Sequence, residues 1–255
     1  MTDEPLVIRE ERGPVTILTM VYKPLNLIGP KLGGALVEQL EIAKDAGARA
    51  IVIRSGLKHF SAGADLLSFA GGPPAGKDTL KFLDAFESLP IPIIASIHGA
   101  CLGGGFELAL LCDYIIAGQS AQIGSVESQL GLNPLAGAVQ RQTARAGALR
   151  AKEISMLGRR YDPATLERWN LINQVVADDE LEAKTLEIAA EFGNGPTVAH
   201  AATKALANIA ERRGVAAADE AMAELQQPIW TSEDLKTGFM SFQANGPGKA
   251  HFQGR

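Results

Sequence analysis

The stretch Ile97-His98-Gly99-Ala100-Cys101-Leu102-Gly103-Gly104-Gly105-Phe106-Glu107-Leu108 decides the fold. It follows the apolar run Ile91 to Ile97, which suits a strand buried on both faces. Three consecutive glycines then open a short helix, Phe106 to Cys112. Bare N–H groups at such a helix start, backed by its dipole, stabilise an oxygen that carries negative charge. A triple glycine is entropically costly unless something must come close to the main chain. Glu107 falls in the first turn, where a carboxylate can complement the dipole or serve as an acid or base.

Outward from this segment, Ala50-Ile51-Val52-Ile53-Arg54 and Tyr114 to Ala117 read as further buried strands, and Ala121 to Gly124 as a shorter piece. Apolar residues at helical spacing mark Lys31 to Ala46 (Leu32, Leu36, Leu40, Ala43) and Asp78 to Leu89 (Leu80, Leu83, Phe86). Leu6 to Ile8 and Val15 to Met20 flank Glu11-Arg12-Gly13-Pro14 as a hairpin. Helices alternating with such strands imply an α/β fold, a parallel sheet with crossover connections. Beyond residue 136 the pattern turns helical, at 136–157, 179–193, 197–212, 216–227 and 232–243, with one short strand at Gln174-Val175-Val176. The expected organisation is an α/β core over 1–195 and a helical portion over 196–255, hinged at Gly193-Asn194-Gly195-Pro196. The tail Ala244-Asn245-Gly246-Pro247-Gly248-Lys249 reads as loose, and no internal repeat is visible.

The composition excludes several classes. Of 255 residues, 46% are hydrophobic and 21% charged, so the chain is no disordered polymer. A net charge of −5 without a long basic run argues against a nucleic-acid footprint, and 5% aromatics argue against base-stacking platforms. No apolar run reaches membrane-spanning length, and the acidic start MTDEPLVIRE lacks a signal-peptide core. Cys101 and Cys112 read as buried thiols in a reducing compartment, hence a cytoplasmic protein. No Cys/His ligand spacing suggests a metal, and the four histidines are scattered.

Two further segments could carry chemistry. His59-Phe60-Ser61-Ala62-Gly63-Ala64-Asp65-Leu66 follows a buried strand, and its small residues let a ligand approach the backbone; Asp65 could cap the next helix. Ile123-Gly124-Ser125-Val126-Glu127-Ser128-Gln129-Leu130-Gly131 carries a second glutamate, which with Glu107 would divide proton donor and acceptor roles. Gly71-Gly72-Pro73-Pro74-Ala75-Gly76-Lys77-Asp78 only imitates a phosphate-binding loop. Asp78 stands where a hydroxyl is needed, and two prolines remove donors from the cradle. The glycines at 103–105 lack dinucleotide spacing, and no G-x-S-x-G elbow is present for a serine hydrolase.

Taken together, these residues resemble the enoyl-CoA hydratase/isomerase, or crotonase, superfamily. Phe60-Ser61-Ala62-Gly63-Ala64-Asp65-Leu66 is similar to its first oxyanion loop, His98 to Asp113 to its G-x-x-x-G-G-G-x-E-L signature, Ile123 to Gly131 to its second glutamate segment, and Phe252-Gln253-Gly254-Arg255 to its F-x-G-R tail. The resemblance covers almost the whole chain. It implies a crotonase-like core of repeated ββα units with a helical C-terminal trimerisation portion, assembled as a homotrimer or homohexamer. It implies an acyl-CoA thioester as substrate, with CoA part of that substrate and no separate cofactor or metal. Residue by residue, it implies an oxyanion hole from the N–H groups of Ala62 and Gly104, and CoA contacts at Phe60, Ala62, Gly63, Ala64, Asp65 and Gly104. Glu107 and Glu127 match the two catalytic glutamates, and having both points to a hydratase rather than a double-bond isomerase. A CoA-ester-binding subunit without catalysis is the reading from another class. The chain departs from the family pattern at Leu135 and Ala138, which stand where glycines are usual, at Val126, where proline is usual, and in Tyr22-Lys23-Pro24-Leu25-Asn26-Leu27.

Overall fold

The computed structural model describes residues 4–69, 72 and 76–255. Its centre is a six-stranded sheet. β1 (Val7–Arg12) and β2 (Val15–Met20) form the expected hairpin, with Glu11 and Arg12 inside β1 rather than in the turn. β3 (Ala50–Ser55), β4 (Ile93–Ile97), β6 (Tyr114–Gly118) and β8 (Gln174–Val176) all add in parallel, giving the order β1-β2-β3-β4-β6-β8. α1 (Pro30–Asp45) and α2 (Gly76–Glu87) make the crossovers from β2 to β3 and from β3 to β4.

The two faces of the sheet are covered separately, as continuous apolar strands require. Ile51, Ile53, Ile93 and Ala95 point into the larger core with Leu32, Leu36, Leu40 and Phe86 of α1 and α2. Their alternate neighbours Ala50, Val52 and Ile94 pack under Leu181 and Ala189 of α6 (Leu181–Asn194).

Two elements escape the sequence reading. They are β5 (Ala100–Leu102), which pairs in parallel with β7 (Gln122–Gly124), the short piece read at Ala121 to Gly124, and α5 (Pro163–Arg168), which precedes β8. A three-residue strand carries too little alternation to declare itself. α3 (Gly104–Leu110) starts on the second glycine, and α4 (Ala138–Leu157) breaks its helical geometry at Gly147. Of the phosphate-loop imitation, Gly71 and Pro73–Ala75 lie outside the described residues. After Pro196 come α7 (Thr197–Arg213), α8 (Val215–Thr231) and α9 (Glu233–Asn245).

The stretch expected to be loose, 244–249, is helical at its start, and the residues that follow it are tied down. Ala244 and Asn245 belong to α9. Beyond them, buried Asp234 accepts from the N–H groups of Gln253 and Gly254, at 2.7 and 2.8 Å, and donates its own N–H to the Arg255 carbonyl. Arg49 reaches the same place, donating to the Phe252 carbonyl, the Gly195 carbonyl and Thr197 Oγ1. Asp234→Ala should therefore cost about 2 kcal/mol in denaturant unfolding, since hydrogen bonds to a charged acceptor are the stronger ones. It should also open the last residues to carboxypeptidase.

Candidate active site

Every candidate segment lies in a loop leaving the carboxyl end of a parallel strand, where open α/β sheets place their ligand crevice. Residues 21–29 follow β2, 56–69 follow β3, 98–103 follow β4, and 119–137 follow β6, with β7 inside the last. They enclose a cavity of about 670 Å³ against α1 and α2. Ala64, Gly104, Glu107 and Glu127 all line it. A larger crevice of about 960 Å³ between α7 and the core contains none of these residues. Two ion pairs lie along it, Lys204 with Asp113 at 2.7 Å and Arg145 with Glu211 at 3.4 Å.

The β5–β7 pairing brings the two glutamates together. Leu102 lies opposite Gly124, and the Gly103 N–H donates to the Gly124 carbonyl at 2.9 Å. The chains diverge from that point, one into α3 with Glu107, the other into the 3-10 turn Glu127–Leu130. The approach is close enough that a Cβ on Gly103 would sit 3.1 Å from Glu127 Oε1. Gly105 is equally constrained, because its Cβ would overlap Ser61 at 2.6 Å.

The oxyanion assignment needs one correction. The Ala62 N–H already donates to the Leu25 carbonyl at 3.0 Å, and Ala62 does not line the cavity. The residue facing Gly104 is Ala64. A Cβ on Gly104 would lie 3.3 Å from both the nitrogen and Cα of Ala64. Among the described residues, the N–H groups of Ala64 and Gly104 donate to no protein acceptor. Phe60, whose backbone the resemblance sets near the ligand, is held from several sides. Its ring is wholly buried, its N–H goes to the His98 carbonyl, and its carbonyl accepts from Asn26. Gly63 and Asp65 lie beside the cavity without lining it. Asp65 starts the 3-10 turn Leu66–Phe69 through its carbonyl, which accepts from Ser68.

The two carboxyl groups differ in their surroundings. Glu107 is 4% exposed, and its Oε1 accepts from the N–H groups of Ala136 at 2.6 Å and Ala138 at 3.3 Å. Burial pushes it up to about 7, against those hydrogen bonds, and the Glu127 charge adds to the rise. Glu127 is raised too, by burial, and both its oxygens are buried without a partner among the described residues. The two groups are thus held differently: N–H donors favour the charged form of Glu107 against its heavy burial, whereas the oxygens of Glu127 have no such donor among the described residues.

Sequence reasoning missed the residues that hold this arrangement. Asn26 is fully buried and donates to Ser55 Oγ at 2.8 Å and the Phe60 carbonyl at 3.1 Å, while its own carbonyl accepts from Ser61 Oγ at 2.7 Å. It ties the loops after β2 and β3 into one wall. Its left-handed backbone, φ 50°, is the only local signal, and a sequence does not display it.

Comparison with known proteins agrees with the geometry. The model of the enoyl-CoA hydratase/isomerase family matches residues 10–255. A probable enoyl-CoA hydratase from Rhizobium meliloti is 32% identical over the full length of both chains. A carnitinyl-CoA dehydratase from Salmonella typhi is 35% identical over 75% of this chain and 76% of its own. Among solved structures, an enoyl-CoA hydratase subunit from Geobacillus kaustophilus superposes with a TM-score of 0.89 at 29% identity, covering 98% of each chain. With the fold, the paired glutamates and the full-length match in agreement, the chain belongs to the enoyl-CoA hydratase/isomerase family.

Proposed function

We propose that the protein is an enoyl-CoA hydratase, adding water reversibly to a 2-enoyl-CoA thioester to give a 3-hydroxyacyl-CoA. The observation that carries this reading is one cavity holding two buried carboxyl groups in different surroundings beside two backbone N–H groups that are unengaged among the described residues. The thioester carbonyl oxygen would lie between the N–H groups of Ala64 and Gly104. Glu107 takes a proton from water as its hydroxide adds to C3. The electron pair of the double bond moves onto the thioester oxygen, where the two donors stabilise the enolate. Glu127 delivers its proton to C2. Return of the proton from Glu107 to Glu127 resets the site. Water, two carboxyl groups and two N–H donors account for every proton and charge, so this chemistry calls for no metal or redox cofactor.

The same reading extends to the whole molecule. Residues 196–255 would form the oligomerisation portion of a homotrimer or homohexamer. Trp230, Phe239, Met240 and Phe242 of α8 and α9 are more than half exposed in the single chain, as a covered surface would require. Both cysteines are free and buried, which fits the cytoplasm. No helix among the described residues is long and apolar enough to cross a membrane. Light scattering should return three or six times the chain mass, and a monomer would overturn the assembly.

Conversion of crotonyl-CoA and longer 2-enoyl-CoA esters should remove the conjugated-thioester absorbance and yield a 3-hydroxy product; a shifted alkene would make the protein an isomerase instead. Gly104→Ala should lower kcat by about 100-fold or more, because its methyl group fills the gap beside Ala64, and losing an oxyanion donor costs that much elsewhere. Rate should rise with pH through about 7 as Glu107 ionises. In Glu127→Gln the limb of the residual rate should move to lower pH, since the neighbouring charge that raises Glu107 is gone.

Stability should carry the opposite sign. Folding raises Glu107 from 4.5 to about 7, so the folded state holds this proton more tightly than the unfolded one. Its contribution is most favourable below pH 4.5 and is lost as pH climbs to about 7. Relative to wild type, Glu107→Gln should gain ~3 kcal/mol across that window in urea melts, because each tenfold difference in proton affinity is worth ~1.4 kcal/mol.

A further inference from the structure

The two carboxyl groups are held by one element, α4, through separate contacts. Its N-terminal approach gives the Ala136 and Ala138 N–H groups to Glu107. One turn further on, Gln142 is completely buried. Its Nε2 donates to Ser125 Oγ at 2.8 Å, and its Oε1 accepts from Ser155 Oγ at 3.0 Å. Ser125 is itself completely buried and stands two residues before Glu127. Ser155 lies beyond the break at Gly147, so the amide also fastens the second half of α4 to the first. That second half ends at Gly158, whose carbonyl accepts from Gln129 Nε2 at 2.6 Å, on the far side of Glu127. Gly124 is pressed against the Arg159 carbonyl so closely that a Cβ there would collide with it. Glu127 itself has no polar side-chain partner among the described residues. Its position is therefore set by the turn that carries it.

We infer that Gln142 is a positioning residue for Glu127, and that α4 is the brace that fixes the separation of the two carboxyl groups. Gln142 touches neither the cavity nor the carboxyl groups; it acts through Ser125. An amide in a sealed interior is costly unless both its ends are engaged, and here both are. Arg141, beside it, pairs with Glu87 at the end of α2 and donates to the Gly137 carbonyl, so the start of α4 is anchored independently of Gln142. Removing Gln142 should accordingly loosen Glu127 while leaving the Glu107 contacts in place.

The role of Gln142 rests on the hydratase reading for its kinetic expression, but its test does not depend on turnover alone. Gln142→Leu and Ser125→Ala should each lower kcat by about tenfold or more with KM changed less than about twofold, because ångström-scale misplacement of an acid slows chemistry without weakening remote binding. The Glu127 carboxyl, followed by carbon-13 NMR titration, should fall towards the ordinary carboxylate range as water reaches its unpartnered oxygens. Should Gln142→Leu fail to fold, Ser125→Ala decides. Folded variants with unchanged kcat and an unmoved Glu127 titration would overturn the role of Gln142 and leave the hydratase reading intact. A wild-type protein inactive on every enoyl-CoA ester would overturn the hydratase reading, and the titration would still decide the positioning role.

Discussion

Two carboxyl groups must be kept dry and adjacent, and the rest of the molecule is arranged around that constraint. Burial raises both, and proximity raises Glu107 further, so the pair resists ionisation. The fold resolves the conflict by asymmetry. Glu107 receives two N–H donors ahead of and within the first turn of α4, whereas Glu127 receives none from a side chain. Under the hydratase reading, these unequal contacts would let one group hold the charge that a base needs while the other holds the proton that an acid needs.

That asymmetry depends on main chain more than on side chains. The β5–β7 pairing sets how far apart the two loops start, and small residues permit the approach. The parallel sheet supplies the rigid floor. β3 and β4 are buried along nearly their whole length, so the loops at their carboxyl ends leave from fixed points. Asn26, Ser55 and Ser61 join two of those loops with hydrogen bonds that are themselves buried. A buried polar network of this kind specifies one geometry, because any slip leaves a donor or acceptor unmatched.

The parts legible in the sequence were those with a long pattern or a special residue. Continuous apolar runs declared β3, β4 and β6, and the triple glycine declared the start of α3 and, with it, Glu107. The illegible parts depend on which way individual peptide groups face. Ala62 and Ala64 are the same residue type two positions apart, and nothing in the letters says which N–H is consumed by the Leu25 carbonyl. Phe60 adjoins the same loop, and nothing in the letters says that its ring turns into the core. The bracing of Glu127 by Gln142 joins positions that carry no shared motif, and only the folded chain brings them together.

The departures at Leu135 and Ala138 now separate into two kinds. Ala138 contributes its N–H to Glu107, and its methyl group is completely buried. A glycine there would offer the same donor, so this change leaves the proton chemistry intact. Leu135 is 40% exposed and lines the cavity with Leu132, Phe82 and Val37. A large apolar side chain there removes volume from the wall and adds apolar contact. On the proposed reading, the chain would retain the features that act on the thioester and alter the wall that meets the rest of the substrate. Differential binding of a remote part controls how well reacting atoms are aligned, so under the hydratase reading Leu135 would act on which acyl chain is accepted rather than on whether water can be added.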